Sequence, residues 1–420
     1  MGRVENLRTE NKFKKTEIGE IPVDWEVVKL AEVTQVIMGQ SPPSESCFEF
    51  MNGVPFFQGN AEFGDKFPKI LKWCNSPRKL AEKGDILVSV RAPVGDINIA
   101  PVECCIGRGL AALRVMKIHK DYLYFAMNYF KDALVKIGQG STFEAINKKD
   151  LFDLKIPFPP LPEQKKIAEI LTSVDDAIDK KREIIEKTKK LKKSLMQELL
   201  SHGIRHKKFK KTKIGEIPMD WEDLNLDNIS EEIYRYPTYY NIEYVKEGIP
   251  EVRGKLIRPN GKLEKNLSKY RFISSKTALK FPRTCLREGD FIISVRGTLG
   301  KVTIVPKFIE GANITANLMR VSPNRKKIYP LFFHQILLSE KFQENLNNTS
   351  SSTTIKTIKA PELKRLRFAI PPLPEQKKIA EILTSVDEEI EKEIAQKERL
   401  DNIKKGLMQV LLTGKIRVKI

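Results

Sequence analysis

The feature that most constrains this chain is that it is written twice. FKKTEIGEIPVDW at residues 13–25 returns as FKKTKIGEIPMDW at 209–221, changed only at Glu17/Lys213 and Val23/Met219. GDILVSVRAPVG (84–95) returns as GDFIISVRGTLG (289–300). PPLPEQKKIAEILTSVD (159–175) returns unaltered at 371–387, and KKSLMQELL (192–200) returns as KKGLMQVLL (404–412). Four blocks in one order require a repeated architecture of two like units. The offset between copies grows from 196 (13 to 209) through 205 (84 to 289) to 212 (159 to 371, 192 to 404), so the second copy has gained residues between the first and third blocks and none after the third. Between the blocks the copies diverge, as in MGQSPPSESCFEFMNGVPFFQGN against YRYPTYYNIEYVKEGIPEVRGK.

The constant part reads as helix. After PPLPEQ, apolar residues recur at Ile167, Ile170, Leu171, Val174, Ile178, Ile185, Leu191, Leu195 and Leu199. The second copy places them at Ile379, Ile382, Leu383, Val386, Ile390, Ile394, Ile403, Leu407 and Leu411, again near the three/four spacing of a helix face. Proline precedes each stretch and is absent from it, so each helix runs on for roughly 60 Å at 1.5 Å per residue. So long a stripe exceeds what one small domain covers, and the expectation is that the two helices pack on each other as a coiled coil. The alternative is that each packs on its own globular part. Lys181, Thr188, Glu393 and Lys397 interrupt the stripe, which suggests that other chains also dock there.

The globular parts read as α+β. DILVSV and DFIISV are short apolar strands, each followed by a Gly-bearing turn and a second strand (INIAPV, VTIVPK). KDYLYFAMNYFKDALVKI and YPLFFHQILLSEKFQENL have helical spacing.

Charge is placed unevenly. The net charge is +20, yet residues 162–200 carry ten basic and eight acidic residues and 374–412 carry seven and nine, so the helices sum to zero. The excess lies on the globular parts, which points to a polyanionic partner. No apolar run approaches a membrane span and the first residues lack a signal-like apolar stretch, so a cytoplasmic protein is expected. The five cysteines (Cys47, Cys74, Cys104, Cys105, Cys285) form no C-x-x-C pair, and Cys104 and Cys105 read as small buried hydrophobes.

Catalytic motifs are missing. RGTLGKV is too short for a phosphate-binding loop, and GQGSTF (138–143) follows a helix-like stretch and reads as a loop. Pro-Pro at Pro42, Pro159 and Pro371 is never preceded by Asp or Asn, as an adenine methyltransferase would need. Glu362 to Lys364 has no upstream Pro-Asp for a nuclease and reads as surface charge. His202 and His206 sit in the basic connector SHGIRHKKFKK, which reads as solvated rather than metal-binding.

Taken in order, the G-x-I-P-x-x-W block, a variable region holding G-D-I-L-V-S-V-R or G-D-F-I-I-S-V-R with a turn glycine, then P-P-L-P-E-Q-x-x-I and a long helix, all twice, resemble the specificity subunit of type I restriction-modification enzymes. The resemblance spans nearly the whole chain. It implies two α+β target recognition domains at 1–161 and 204–372, each reading half of a bipartite DNA site. Conserved helices at 162–203 and 373–420 would form an antiparallel coiled-coil spacer, related by a pseudo-two-fold repeat. It further implies no catalysis and no cofactor in this chain. Adenine N6 methylation and ATP-driven cleavage, with S-adenosylmethionine, ATP and Mg, would belong to modification and restriction subunits. Because the variable regions differ, the target is expected to be asymmetric, and its unread gap should lengthen with the helices.

Candidate DNA readers are the polar and basic residues of the variable loops: Gln40, Ser41, Gln58, Asn60, Arg91 and Arg108 in the first copy, and Arg235, Tyr236, Arg253, Lys255, Arg258 and Arg296 in the second. Arg and Gln or Asn can pair bidentately with guanine and adenine. Arg91 and Arg296 match between copies, which suits phosphate contact or an ion pair better than base reading. Ile167, Ile178, Ile185, Ile379, Ile390 and Ile394 are candidates for docking partner subunits. The rival is a coiled-coil scaffold whose basic domains bind nucleic acid non-specifically, or bind protein.

Overall fold

The computed structural model describes residues 7–8, 12–139, 145–235, 242–349 and 356–420. Two compact units form, one from residues 1–183 with 394–420 and the other from residues 184–393. The long helices are Leu161–Ser201 and Leu373–Leu411. Each contributes a half to either unit, so the partition into globular parts and separate helices at 161, 203 and 372 is not how the contacts divide. Both helices start behind a Pro-Pro pair, with Pro162 and Pro374 in the first turn, where no N–H partner is lost, and with Glu163 and Glu375 at the positive end of the helix dipole. Gly203 and Gly414, both at φ +68°, stand just past the two ends.

In the first unit the FKKT…GEIP block is a hairpin, Phe13–Thr16 against Gly19–Pro22. Glu26–Lys29 then pairs with Lys155–Phe158. An antiparallel sheet follows in the order Ile97–Ile99, Ile86–Ser89, Leu110–Val115, Thr34–Met38. Cys47–Phe48, Trp73–Cys74, Val54–Phe57, Cys104–Ile106 and Leu80–Ala81 make a second, mixed sheet. Strand Ile86–Ser89 shows why its sequence is apolar throughout: Ile86 and Val88 enter the main core, while Leu87 enters a second core with Phe57, Ile106 and Ala112. The expected helical stretch is two helices, Lys120–Tyr129 and Lys131–Gln139.

The second unit repeats this plan. Its hairpin is Phe209–Thr212 with Gly215–Pro218, and Glu222–Asn225 pairs with Arg367–Ile370. The main sheet runs Ser230–Arg235, Leu318–Pro323, Phe291–Ser294, Val302–Ile304, the same order as in the first unit. Phe291 and Ile293 face one core and Ile292 the other. Pro330–Leu338 and Glu340–Thr349 replace the single helical stretch read from sequence. Ser275–Lys280 is a short helix inside the region where this copy has gained residues.

The helices are core elements of both units. Ile167, Ala168 and Leu171, together with Met408, Leu411 and Leu412, complete the first core. Ile379, Ala380 and Leu383 with Leu199 complete the second. Each such burial contributes about 1.5–3 kcal/mol for a large aliphatic side chain. Within the first unit Lys404 pairs with Asp175 at 2.5 Å, and within the second Lys192 pairs with Asp387 at 2.6 Å. These two pairs are equivalent under the 212-residue repeat, and in each unit they join segments of the two helices. Both sequence-based readings therefore hold a share: helix meets helix, and the leading turns of each helix also pack on their own globular part. A correction follows for the docking stripe. Ile167, Ile178, Ile185, Ile379 and Ile390 are buried by the chain itself, and of the six only Ile394 is exposed. Apolar side chains already covered present no surface to a partner.

Candidate nucleic-acid interface

The G-D-x-x-x-S-V-R-x-x-x-G block is a structural device with an arginine at its tip. Asp85 accepts from the Glu82 N–H at 2.8 Å and Asp290 from the Arg287 N–H at 2.9 Å, closing a turn around Gly84 and Gly289, whose φ values are +92° and +84°. Arg114 holds Asp85 at 3.0 Å, and Arg320 holds Asp290 at 2.6 Å. Ser89 Oγ donates to Pro93 O and Ser294 Oγ to Thr298 O, pinning the turn that follows. Arg91 and Arg296 leave the sheet there with exposed side chains, and their backbones bridge to Ala145 and Thr357.

In the first unit Gln40, Ser41, Gln58 and Arg108 come together at one end of the two sheets. The Gln40 N–H donates to Ile106 O at 3.0 Å. The Ser41 hydroxyl donates to Gln58 Oε1 and accepts from Nε2, each at 3.1 Å, which fixes the amide. Glycine makes this possible: a Cβ on Gly107 would lie 2.6 Å from Gln58 Oε1, and one on Gly39 would lie 2.1 Å from Gly107 O. Arg108 stands exposed between Gly107 and Gly109. Asn60 is engaged elsewhere, its amide donating at 2.9 Å to Asp96, which also binds Lys131.

The second unit carries different chemistry at matching places. Val88 and Ile293 coincide in the repeated block; Val88 pairs with Ala111 and Ala111 with Met38, while Ile293 pairs with Met319 and Met319 with Arg235. Met38 in one unit is thus Arg235 in the other. The Gly107 N–H donates to Phe57 O as the Thr315 N–H does to Val252 O, which makes Gln58 the counterpart of Arg253. Arg235 Nε donates to Ala316 O at 3.1 Å. Burial, and then repulsion from Arg296, push the Arg235 guanidinium below its ordinary value. Arg253 donates to Lys269 O at 3.0 Å, and Lys301 Nζ to Gly254 O at 3.1 Å. Lys255 is exposed. Arg258 pairs with Glu264, which Lys269 and the Asn266 N–H hold down at about 2. Tyr236 lies outside the described residues.

Sequence reading overlooked how each globular part is fastened to its helix. Trp25 Nε1 donates to Glu163 at 2.9 Å, and Trp221 Nε1 donates to Glu375 at 3.0 Å. Gln164 and Gln376 accept the His119 and Tyr329 N–H groups at 2.8 Å and donate to Pro159 O and Pro371 O. The constancy of W and PEQ in both copies was the available signal. His206, read as a solvated connector, is instead half-covered with Nε2 2.8 Å from Glu375. Cys104 and Cys105 are buried among apolar neighbours. Glu362 accepts the Lys359 N–H at a helix start and Lys364 pairs with Asp227, so both have structural duties. Among the described residues no cluster of His, Cys, Asp and Glu is arranged to hold a metal, and no helix is long and apolar enough to cross a membrane.

Comparison with known proteins agrees with this layout. The type I restriction modification DNA specificity domain matches residues 22–190 and 218–399, one match per copy. A putative type I restriction enzyme MjaX specificity subunit of Methanocaldococcus jannaschii is 50% identical over 199 residues, 46% of this chain and 47% of that one. The MjaVIII specificity subunit of the same organism is 29% identical over 420 residues, 98% and 97% of the two chains. The crystal structure of the type I restriction-modification S subunit from M. genitalium shares the fold with a TM-score of 0.59 at 17% identity, over 96% of this chain and 98% of that one. With both copies matched, the chain belongs to the type I restriction-modification DNA specificity family, whose members are the non-catalytic DNA-recognition subunits of those systems.

Proposed function

We propose that the two units read the two halves of an asymmetric, bipartite DNA site and direct modification and restriction subunits to it. The carrying observation is Arg235 beside the cation Arg296, which repels it, on the same sheet end as Arg253 and Lys301. Such a cluster is stabilised by the phosphates of a nucleic-acid backbone. The matching end of the first unit offers a fixed glutamine, a serine and an exposed arginine, so the two surfaces suit different base sequences. The paired helices would act as a coiled-coil spacer that sets the unread gap, and would dock the partner subunits. Methylation and cleavage would stay with those partners, which would bring S-adenosylmethionine, ATP and Mg.

The test is a methylome of cells expressing this chain with its adenine methyltransferase subunit. N6-methyladenine at one asymmetric, interrupted sequence is expected. A perfect palindrome would overturn the two-reader assignment, and sequence-independent, salt-labile binding without a methylated site would favour the scaffold.

A further inference from the structure

The two units diverge where their two short helices meet. In the first unit Tyr129 and Phe130 close the helix Lys120–Tyr129 and stack edge to face, 5.0 Å apart, on a core that buries Met408 and Leu412. The second unit is shorter there: the repeat offset falls from 210 (119 to 329) to 208 (135 to 343, the residues facing Gly95 and Gly300). Ser339 and Glu340 stand at that junction in place of the aromatic pair. Met196 and Leu200, the counterparts of Met408 and Leu412, are left half-buried, and a groove of about 720 Å³ opens beside them.

The rim has changed sign as well. In the first unit Lys155 bridges Glu17 at 2.5 Å. Their counterparts in the second are Arg367 and Lys213, two cations on the groove, and Arg367 turns to Asp223 instead. Asp401 of the first unit likewise becomes Lys189. The groove is lined by six basic and two acidic side chains, and one of the two acids, Glu340, is already held by Lys193 at 2.7 Å. Among the described residues neither Lys213 nor Lys341 is paired with a carboxylate; Lys341 donates to Ile214 O at 3.4 Å. Positive charge is therefore left over around an apolar floor.

That combination suits one class of occupant. Met196, Leu200, Ile214 and Leu338 are half-buried apolar side chains, which gain nothing from phosphates and are covered best by another apolar surface. Lys189, Lys193, Met196 and Leu200 follow the three/four spacing along about 16 Å of helix, a ridge on which a second helix packs. We propose that this groove holds an acidic amphipathic helix of a partner protein. It binds once per chain, because the aromatic pair and the Lys155–Glu17 bridge close the equivalent place in the first unit. The site is additional to the docking proposed for the paired helices and does not rest on the DNA reading.

The test is fluorescence polarisation of the full chain with a labelled peptide of about 20 residues, Leu and Phe on one helical face and Glu on the other. A scrambled peptide of the same composition is the control. Wild type should bind the amphipathic peptide at least about 10-fold more tightly than the scrambled one, at one peptide per chain. Lys213→Glu installs the first unit's residue beside Arg367 and should weaken binding about 10-fold. Lys211→Glu, the same charge change on an exposed residue outside the groove, should leave it within about twofold. Equal binding of the two peptides, equal loss in the two variants, or two peptides per chain would overturn the proposal. A chain that sediments as a dimer in wild type and as a monomer in Lys213→Glu would assign the groove to a second copy, against the proposal. Displacement of the peptide by duplex DNA, with DNA binding weakened in Lys213→Glu, would assign it to nucleic acid and overturn it likewise.

Discussion

The two units hold the same tryptophan with the same glutamate and surround that glutamate with different partners. In the first unit the Glu163 side chain is 1% exposed and is gripped by Arg417 through two contacts of 2.5 and 2.7 Å; Arg417 also takes both oxygens of Asp24 at 2.8 Å. In the second unit the Glu375 side chain is 14% exposed and receives His206 Nε2 at 2.8 Å and the Ile204 N–H at 2.9 Å. Arg205 is the sequence counterpart of Arg417, yet its backbone sits at φ +61° and His206 fills the role. The lesson is that the repeat conserves the hydrogen bond joining domain to helix, while the glutamate's second partner is settled locally.

The strongest way to break this comparison is to remove Arg417 and His206 in turn. Arg417→Ala should destabilise the first unit by about 3–5 kcal/mol, since a buried carboxylate loses its partner. His206→Ala should cost about 1–2 kcal/mol in the second, where Glu375 keeps the Ile204 N–H and is better solvated. Denaturant titration followed by hydrogen exchange, resolved on peptides of each unit, reads both; equal losses would end the distinction.

A second contrast lies five residues beyond the glutamine clasp. Tyr124 occupies the place that His334 takes in the second unit, counted from His119 and Tyr329. Burial, only partly offset by Asp387 and reinforced by Lys192 and Lys262, lowers His334 from 6.5 to about 4. A histidine whose folded value is depressed resists protonation only while folded. Its contribution is therefore intact above pH about 6.5 and is lost progressively down to about pH 4, reaching about 3 kcal/mol. Thermal unfolding from pH 7 to 4 should show that loss in wild type and lack it in His334→Gln. The same acid slope in both would assign it to carboxylates.

The smallest contrast sharpens how local the differences are. Asn147 caps the helix Lys148–Asp153 by accepting the Lys149 and Asp150 N–H groups, whereas its repeat counterpart Lys359 shows no side-chain cap bond at Ala360–Lys364. Asn147→Ala should cost about 1 kcal/mol and Lys359→Ala less than about 0.5 kcal/mol, measured by urea denaturation.

Sequence reading reached the duplication, both long helices and the central strands, because each is carried by local periodicity or by repetition. It stopped short at the site. Ser41 meets Gln58 across 17 positions and Asn60 meets Asp96 across 36, pairings set by strand register in segments where the copies diverge. Trp25 and Glu163 are 138 positions apart, and nothing local in either block announces the bond. The interrupted apolar stripe suggested a docking face because periodicity does not show how much of it the units' own cores absorb, as with Ile167 and Ile379.

The division of each helix between units also bears on inheritance. A genetic exchange that replaces residues 184–393 as one block moves a finished unit, with its core, its Lys192–Asp387 pair and its Glu375 clasp. Exchange of the first half of the sequence for that of a relative separates the first globular part from Met408, Leu411 and Arg417, which close it. The cassette that selection can shuffle intact is therefore the middle of the gene, bounded by two cuts inside helices rather than by one cut between domains.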